Sequence, residues 1–240
     1  MRILSLSTAE QGCSLALFEN KDLVCEEYWA DKQTHSKRLV AMVEHMLAHR
    51  AGFGLSEIDG FIAAKGPGSF TGLRIGISVI KGLAYAIGRP AAGVSSLDGI
   101  AYRFASLCVP VCVMMDARRN EVYCAVYRFE QGILVQKSDE MVCSPEHGVL
   151  LAGEGAVFVG SGSKAYQSLI SDLIIGLTNQ KAQFSCETMD YVSAAALARP
   201  GLLDDKFFEY PGNRLKPSYI RKSDAELQFG LGKKCPKQAC

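Results

Sequence analysis

The sequence predicts an α/β protein made of two tandem units, each a mixed sheet with flanking helices. Three observations lead there: short strands open the chain, the apolar period then switches from two to helical spacing, and the whole pattern restarts at Val109. A chain of 240 residues fits one large domain or two of about 100 to 120 residues. With 48% hydrophobic and 21% charged residues it is globular rather than disordered. The net charge of +1 gives no global attraction to nucleic acid or membrane.

Strands are expected at 2–8, 13–19 and 23–30, with turns at Gln11-Gly12 and Asn20-Lys21. A helix follows over 34–49, where Leu39, Met42, Val43, Met46 and Leu47 keep helical spacing. Then come a short strand at 58–64, a glycine-rich loop at 65–69, a helix over 71–88, a strand at 91–94 and helix again over 97–107. The second round starts with strands at 111–116, 121–129 and 133–137, and helical and strand pieces alternate to about residue 198. Ser7 leads by nine positions to Ala16, and Asp116 by nine to Ala125, each pair inside alternating strands. Two β-β-β-α-β-α rounds are the pattern of a duplicated ribonuclease-H-like fold, the arrangement of actin and the sugar kinases. The units run over 1–106 and 107–200, and a Gly-, Pro- and Lys-rich stretch over 201–240 reads as an extended tail.

No run approaches the roughly 20 apolar residues of a membrane span, since the longest, 75–87, is broken by Lys81 and Gly82. Ile3-Leu4-Ser5-Leu6 is too short for a signal-peptide core. A cytoplasmic location is the expectation. Nine cysteines without a CxxC pair fit it, most of them as small buried residues. Cys235 and Cys240 in the Lys-rich tail read as exposed thiols.

The segment Lys65-Gly66-Pro67-Gly68-Ser69-Phe70-Thr71-Gly72-Leu73-Arg74-Ile75-Gly76 carries most information. Pro67-Gly68 suits the centre of a type II turn, and Ser69 or Thr71 suits a helix cap. Strand, glycine turn and helix N-terminus together could hold an anion. A Walker loop is absent, because Lys65 precedes the turn and no G-x-x-x-x-G-K-[ST] occurs. Arg74 falls in the first helical turn, where the macrodipole disfavours a cation. It either meets an acidic group or phosphate, or is solvated. Gly72 and Gly76 share a helix face, against an element of this chain or a helix of another subunit.

Residues 66–76 resemble the GPGSFTGLRIG hallmark of the TsaB (YeaZ) family, which is similar to the glycoprotease-like TsaD proteins within the actin-like ATPase superfamily. The likeness continues through Lys81-Gly82-Leu83-Ala84, Pro90, Val94-Ser95-Ser96-Leu97-Asp98, Asp116-Ala117-Arg118, Glu121-Val122-Tyr123 and Pro217-Ser218-Tyr219-Ile220-Arg221, with His35-Ser36 ahead of the first helix. The resemblance implies a non-catalytic scaffold of the tRNA adenosine threonylcarbamoyltransferase complex. It would pair with a TsaD-like subunit, be joined by a TsaE-like ATPase, meet tRNA through the complex, and form a homodimer when alone. The helices over 34–49 and 71–88 would make these contacts, which places Leu39, Met42, Val43, Met46, Thr71, Gly72, Arg74, Ile75, Gly76 and Val79 at the partner and dimer interface.

The residues themselves argue against catalysis. Ser7 stands where actin-like ATPases, by resemblance, place an acid for Mg²⁺, and a hydroxyl supplies no anionic oxygen. Ser96 and Ile100 stand where TsaD-like relatives carry two metal-ligating histidines. His45 and His49 lie at i, i+4 with no third ligand and no H-E-x-x-H. Ser161 in Gly160-Ser161-Gly162 is not a nucleophile elbow. Asp116, followed by Arg118 and Arg119, reads as an ion pair. No catalytic, cofactor-binding or metal-binding residue is therefore assigned. The alternatives are a glycoprotease-like hydrolase or a weak nucleotide-binding ATPase. Lys216, Arg221, Lys222, Lys233, Lys234 and Lys237 mark a tail that either contacts tRNA directly or serves solubility.

Overall fold

The computed structural model describes residues 1–30, 39–204, 206–210 and 214–221. Residues 34–38 of the first expected helix, His35 and Ser36 among them, lie outside this range. So do Lys222, Lys233, Lys234, Lys237, Cys235 and Cys240.

The first sheet contains β1 (Arg2–Ser7), β2 (Cys13–Glu19), β3 (Asp22–Trp29), β4 (Gly60–Gly66) and β5 (Ala91–Ser95), in the order β3-β2-β1-β4-β5. β1, β2 and β3 pair antiparallel, whereas β4 and β5 extend the sheet in parallel from β1. Its helices are α1 (Leu39–Met46), α2 (Phe70–Ile87) and α3 (Ser96–Ala101). The second sheet contains β6 (Val111–Arg118), β7 (Glu121–Glu130), β8 (Ile133–Lys137), β10 (Val157–Val159) and β11 (Gln183–Phe184), with β9 (Met141–Cys143) paired to β7 beside the main path. Its order, β8-β7-β6-β10-β11, and its strand directions repeat those of the first sheet. The remaining helices are α4 (Pro145–Ala152), α5 (Ser161–Ala165), α6 (Gln167–Thr178) and α7 (Ala194–Leu203).

Alternation along β1 sends Leu4 and Leu6 to the outer face, where Leu39, Val43 and Met46 of α1 and Ile77, Ile80 and Ala84 of α2 cover them. Ile3 faces inward and joins a core shared by both sheets, with Ile62, Val94, Val111, Val113 and Tyr127. The outer face of the second sheet is closed by Val149 and Ala152 of α4 and Ile170 of α6. With both faces covered, β2 reads as an almost unbroken buried run. Beside the central core, Asp98 accepts from the Tyr127 hydroxyl at 2.8 Å and from Lys137 Nζ at 2.7 Å, and Lys137 also pairs with Glu140 at 2.7 Å.

The sequence places residues 194–200 in the second unit, yet α7 packs on β1, β2 and β4 of the first sheet and against α3. Its N-terminus is pinned there. Ser14 Oγ accepts from the Ala194 N–H at 2.9 Å, and Glu26 accepts from the Ser193 hydroxyl at 2.7 Å and the Ala195 N–H at 3.2 Å. Its alanines and Gly201 let it lie between the layers, where Ile62 and Phe207 leave a Cβ at Gly201 no room.

Candidate functional site

The glycine-rich loop is closed from two sides. Ser69 N–H donates to the Ala9 carbonyl at 2.7 Å, and Ser218 N–H donates to the Lys65 carbonyl at 2.6 Å. Gly68 lies against the Ala9 carbonyl and Gly66 against the Ser218 carbonyl, with no space for a Cβ at either. Their φ values of 152° and 116° belong to glycine, and the first lies well away from the roughly +80° of the type II turn expected for Pro67-Gly68. Ser69 caps α2 by accepting from Gly72 N–H at 3.2 Å. The Ser69 and Gly72 N–H groups at this helix end are thus engaged within the chain.

Gly72 and Gly76 face inward. Both meet Thr8 just past β1, and a Cβ at either would overlap its carbonyl or hydroxyl oxygen. The Thr8 hydroxyl donates to the Gly72 carbonyl at 2.7 Å. Leu39, Val43 and Met46 are likewise fully buried in this chain's own core. Of the ten residues expected at the interface, Thr71 and Arg74 are exposed and Met42, Ile75 and Val79 are half-buried. The helical face turned to solvent shares only Thr71 and Ile75 with those ten. Thr71, Ile75, Ser78, Gly82 and Tyr85 follow a 4-3-4-3 spacing, the seam of a helix that packs on another helix. Tyr85 is 90% exposed, and nothing stands within 4 Å of a Cβ built at Gly82. Val40 and Ala41 of α1 are exposed on the same side of the sheet. By length and composition α2 could cross a membrane, but its Leu73–Ile77–Ile80–Ala84 stripe is buried in the core.

Arg74, the fifth residue of α2, lies over the Phe70 ring at 3.9 Å and donates Nε–H to the Tyr219 hydroxyl at 3.0 Å. Phe70 and Tyr219 stack with centroids 4.9 Å apart. Electron-rich groups thereby offset the unfavourable dipole.

At the C-terminal end of β1, a residue that sequence reasoning passed over bridges the two lobes. Glu10 accepts from the Ser161 hydroxyl at 2.9 Å and from Val192 N–H at 3.1 Å. Burial pushes its carboxyl above the usual range, against the lowering effect of those two donors, and nearby Asp190 adds to the rise. Ser161 also accepts from the Asp116 N–H at 3.3 Å, so its hydroxyl is a structural link. Asp116 accepts from the Arg118 backbone N–H at 2.8 Å, closing the β6–β7 turn. Ser7 is buried beside this bridge. Ser96 and Ile100 are fully buried on α3, Ile100 in the core between the sheets. Among the described residues, no group of three or more His, Cys, Asp or Glu is placed to hold a metal ion. His45 and His49 lie with ring centroids 4.8 Å apart on an exposed face.

Tyr85 and Glu10 carried no sequence signal, since solvent exposure and contact across the lobes are decided by packing. Tyr219 sits in the Pro217-Ser218-Tyr219-Ile220-Arg221 motif, yet nothing local links it to Arg74.

Residues 29–229 match the family model of TsaD, tRNA N6-adenosine threonylcarbamoyltransferase. The chain is 38% identical to the tRNA threonylcarbamoyladenosine biosynthesis protein TsaB of Escherichia coli, over 70% of this chain and 75% of that protein. To the protein of the same name from Bacillus subtilis it is 27% identical, over 95% and 98% of the two chains. The solved structure of YeaZ from Pseudomonas aeruginosa superposes with a TM-score of 0.72 at 28% identity, covering 91% of this chain and 99% of that one. A match of that length, with relatives above 30% identity over most of both chains, places the function in tRNA threonylcarbamoyladenosine biosynthesis, and the chain belongs to the TsaB (YeaZ) family, within the wider TsaD-type domain family.

Proposed function

We propose that this chain is the non-catalytic scaffold of a tRNA adenosine threonylcarbamoyltransferase complex and docks on a TsaD-type subunit through α2 and the exposed side of α1. The observation that carries this reading is the Thr71–Ile75–Ser78–Gly82–Tyr85 seam. In it the small Ser78 and Gly82 let a partner helix come close, and it ends in an almost fully exposed tyrosine. The non-catalytic role is supported by Ser7 in place of an acid and by Ser96 and Ile100 in place of histidines, all three sealed by packing. The shared strand order of the two sheets supports a duplicated ribonuclease-H-like fold with units over 1–106 and 107–200, α7 reaching back onto the first. A TsaE-like ATPase and tRNA join through the TsaD-type subunit, in the cytoplasm, and the same helical face closes a homodimer when that subunit is missing.

The test is co-elution of the purified chain with a TsaD-type subunit on size exclusion, using Gly82→Trp and Tyr85→Glu. Neither residue is needed for the chain's own core, so the variants should fold normally and lose the complex. A complex at the wild-type level would sink the docking role.

A further inference from the structure

Residues 214–221 cross the molecule as a strap. Arg214 bridges antiparallel to Ala92 of β5. Leu215 is buried in the core under α1 and α2. Ser218 is bonded to Lys65 at 2.6 Å. At the far end Arg221 Nη1 donates to the Ala117 carbonyl at 3.0 Å and pairs with Glu121 at 2.9 Å, both in the other lobe. Tyr219 is held between these anchors, beside the first turn of the docking helix. With Phe70 at 39% and Tyr219 at 43% exposure, two stacked aromatic rings lie on the surface at the start of the seam.

The pair fixes Arg74. One aromatic face and one hydroxyl hold the guanidinium by its face and its Nε–H. The terminal N–H groups form the fork that pairs with a carboxylate or a phosphate. Phosphate is the poorer fit, because Ser69 N–H and Gly72 N–H at this helix end already donate to Ala9 and Ser69. A carboxylate on a protein partner needs no such cradle. Exposed Tyr, Phe and Arg together are also the composition of an interface centre.

We infer that the strap is part of the docking surface, with Tyr219 a positioning residue that presents Arg74 to a carboxylate on the TsaD-type partner. The inference rests on the docking role proposed above. Ordering a long side chain in advance removes part of the cost of binding, so Tyr219 raises affinity through Arg74.

Affinity for a TsaD-type subunit, measured by calorimetry, tests this. Tyr219→Ala should bind about tenfold more weakly, and Tyr219→Phe, which keeps the stack and loses the hydroxyl, about threefold. Arg74→Lys should lose as much as Tyr219→Ala, because an ammonium has no planar fork. The double variant should lose little more than either single one, a non-additivity that a merely structural tyrosine would not show. Wild-type affinity for Tyr219→Ala, or strictly additive losses, would overturn the inference. If Gly82→Trp abolishes binding while Tyr219→Ala does not, the strap fails and the docking role stands. If neither changes binding, the docking role fails as well. Loss of self-association with unchanged binding to the TsaD-type subunit would also overturn the inference, by making a second copy of this chain the occupant.

Discussion

Gly72→Ala separates a packing glycine from a docking glycine. The new Cβ would overlap the Thr8 carbonyl oxygen, and the next atoms it meets are Ser69 Cβ and Oγ at 3.3 Å. Thr8 sits at the mouth of the central strand and its hydroxyl is bonded to the Gly72 carbonyl, so neither side can yield alone. Overpacking of this kind costs about 1–3 kcal/mol, and a backbone oxygen as the obstacle favours the upper end. Alanine recovers about 1 kcal/mol of helix propensity. The net expectation is a loss of about 1–2 kcal/mol, which lowers Tm by roughly 2–8 °C in a chain of this size. Gly82→Ala is the matched control. Its Cβ meets nothing within 4 Å, so the same propensity term should raise stability by up to about 1 kcal/mol. Urea unfolding followed by circular dichroism reads both. If Gly72→Ala proves as stable as wild type, or the two variants shift alike, α2 does not rest on Thr8 and the assignment of its buried face is wrong.

Lys137→Met leaves Asp98 and Glu140 facing each other without their shared cation. It should cost about 3 kcal/mol in urea unfolding, and a loss below about 0.5 kcal/mol would show that the triad is effectively solvated. For Glu10 the sign follows from its raised carboxyl. The folded chain holds the proton more readily than the unfolded one, so this group's contribution is fully present below the ordinary value of 4.5 and is lost as pH rises through the raised folded value. Urea midpoints across that window should fall less steeply for Glu10→Gln than for wild type, and identical slopes would refute the bridge between the lobes. Asp98, also raised mainly by burial, keeps part of the slope in both proteins.

Local patterning carried most of the architecture. The short apolar runs of β1, β2 and β6 and the helical spacing of α2 are written in consecutive residues, and the same strand order recurs in both sheets. The packing of α7 on the first sheet was not legible, because its small residues suit either lobe and the bonds that pin it come from Ser14 and Glu26. The candidate site was legible only in outline. Helical spacing nominated Leu39, Val43 and Met46 as an apolar stripe, but a stripe does not say whether it faces its own sheet or a partner.

The segment from Lys65 to Gly76 shows where the division falls. By itself the sequence determined that a strand ends there, a glycine turn follows, Ser69 can cap, and a helix begins, because turn dihedrals and capping depend on neighbours along the chain. Which face of that helix is free was decided by the tertiary structure. Thr8 takes up Gly72 from 64 residues away, Tyr219 engages Arg74 across 145 residues, and Glu10 closes the lobes onto Ser161 across 151. Such contacts depend on where the backbone brings distant groups together, and no periodicity in the sequence encodes that.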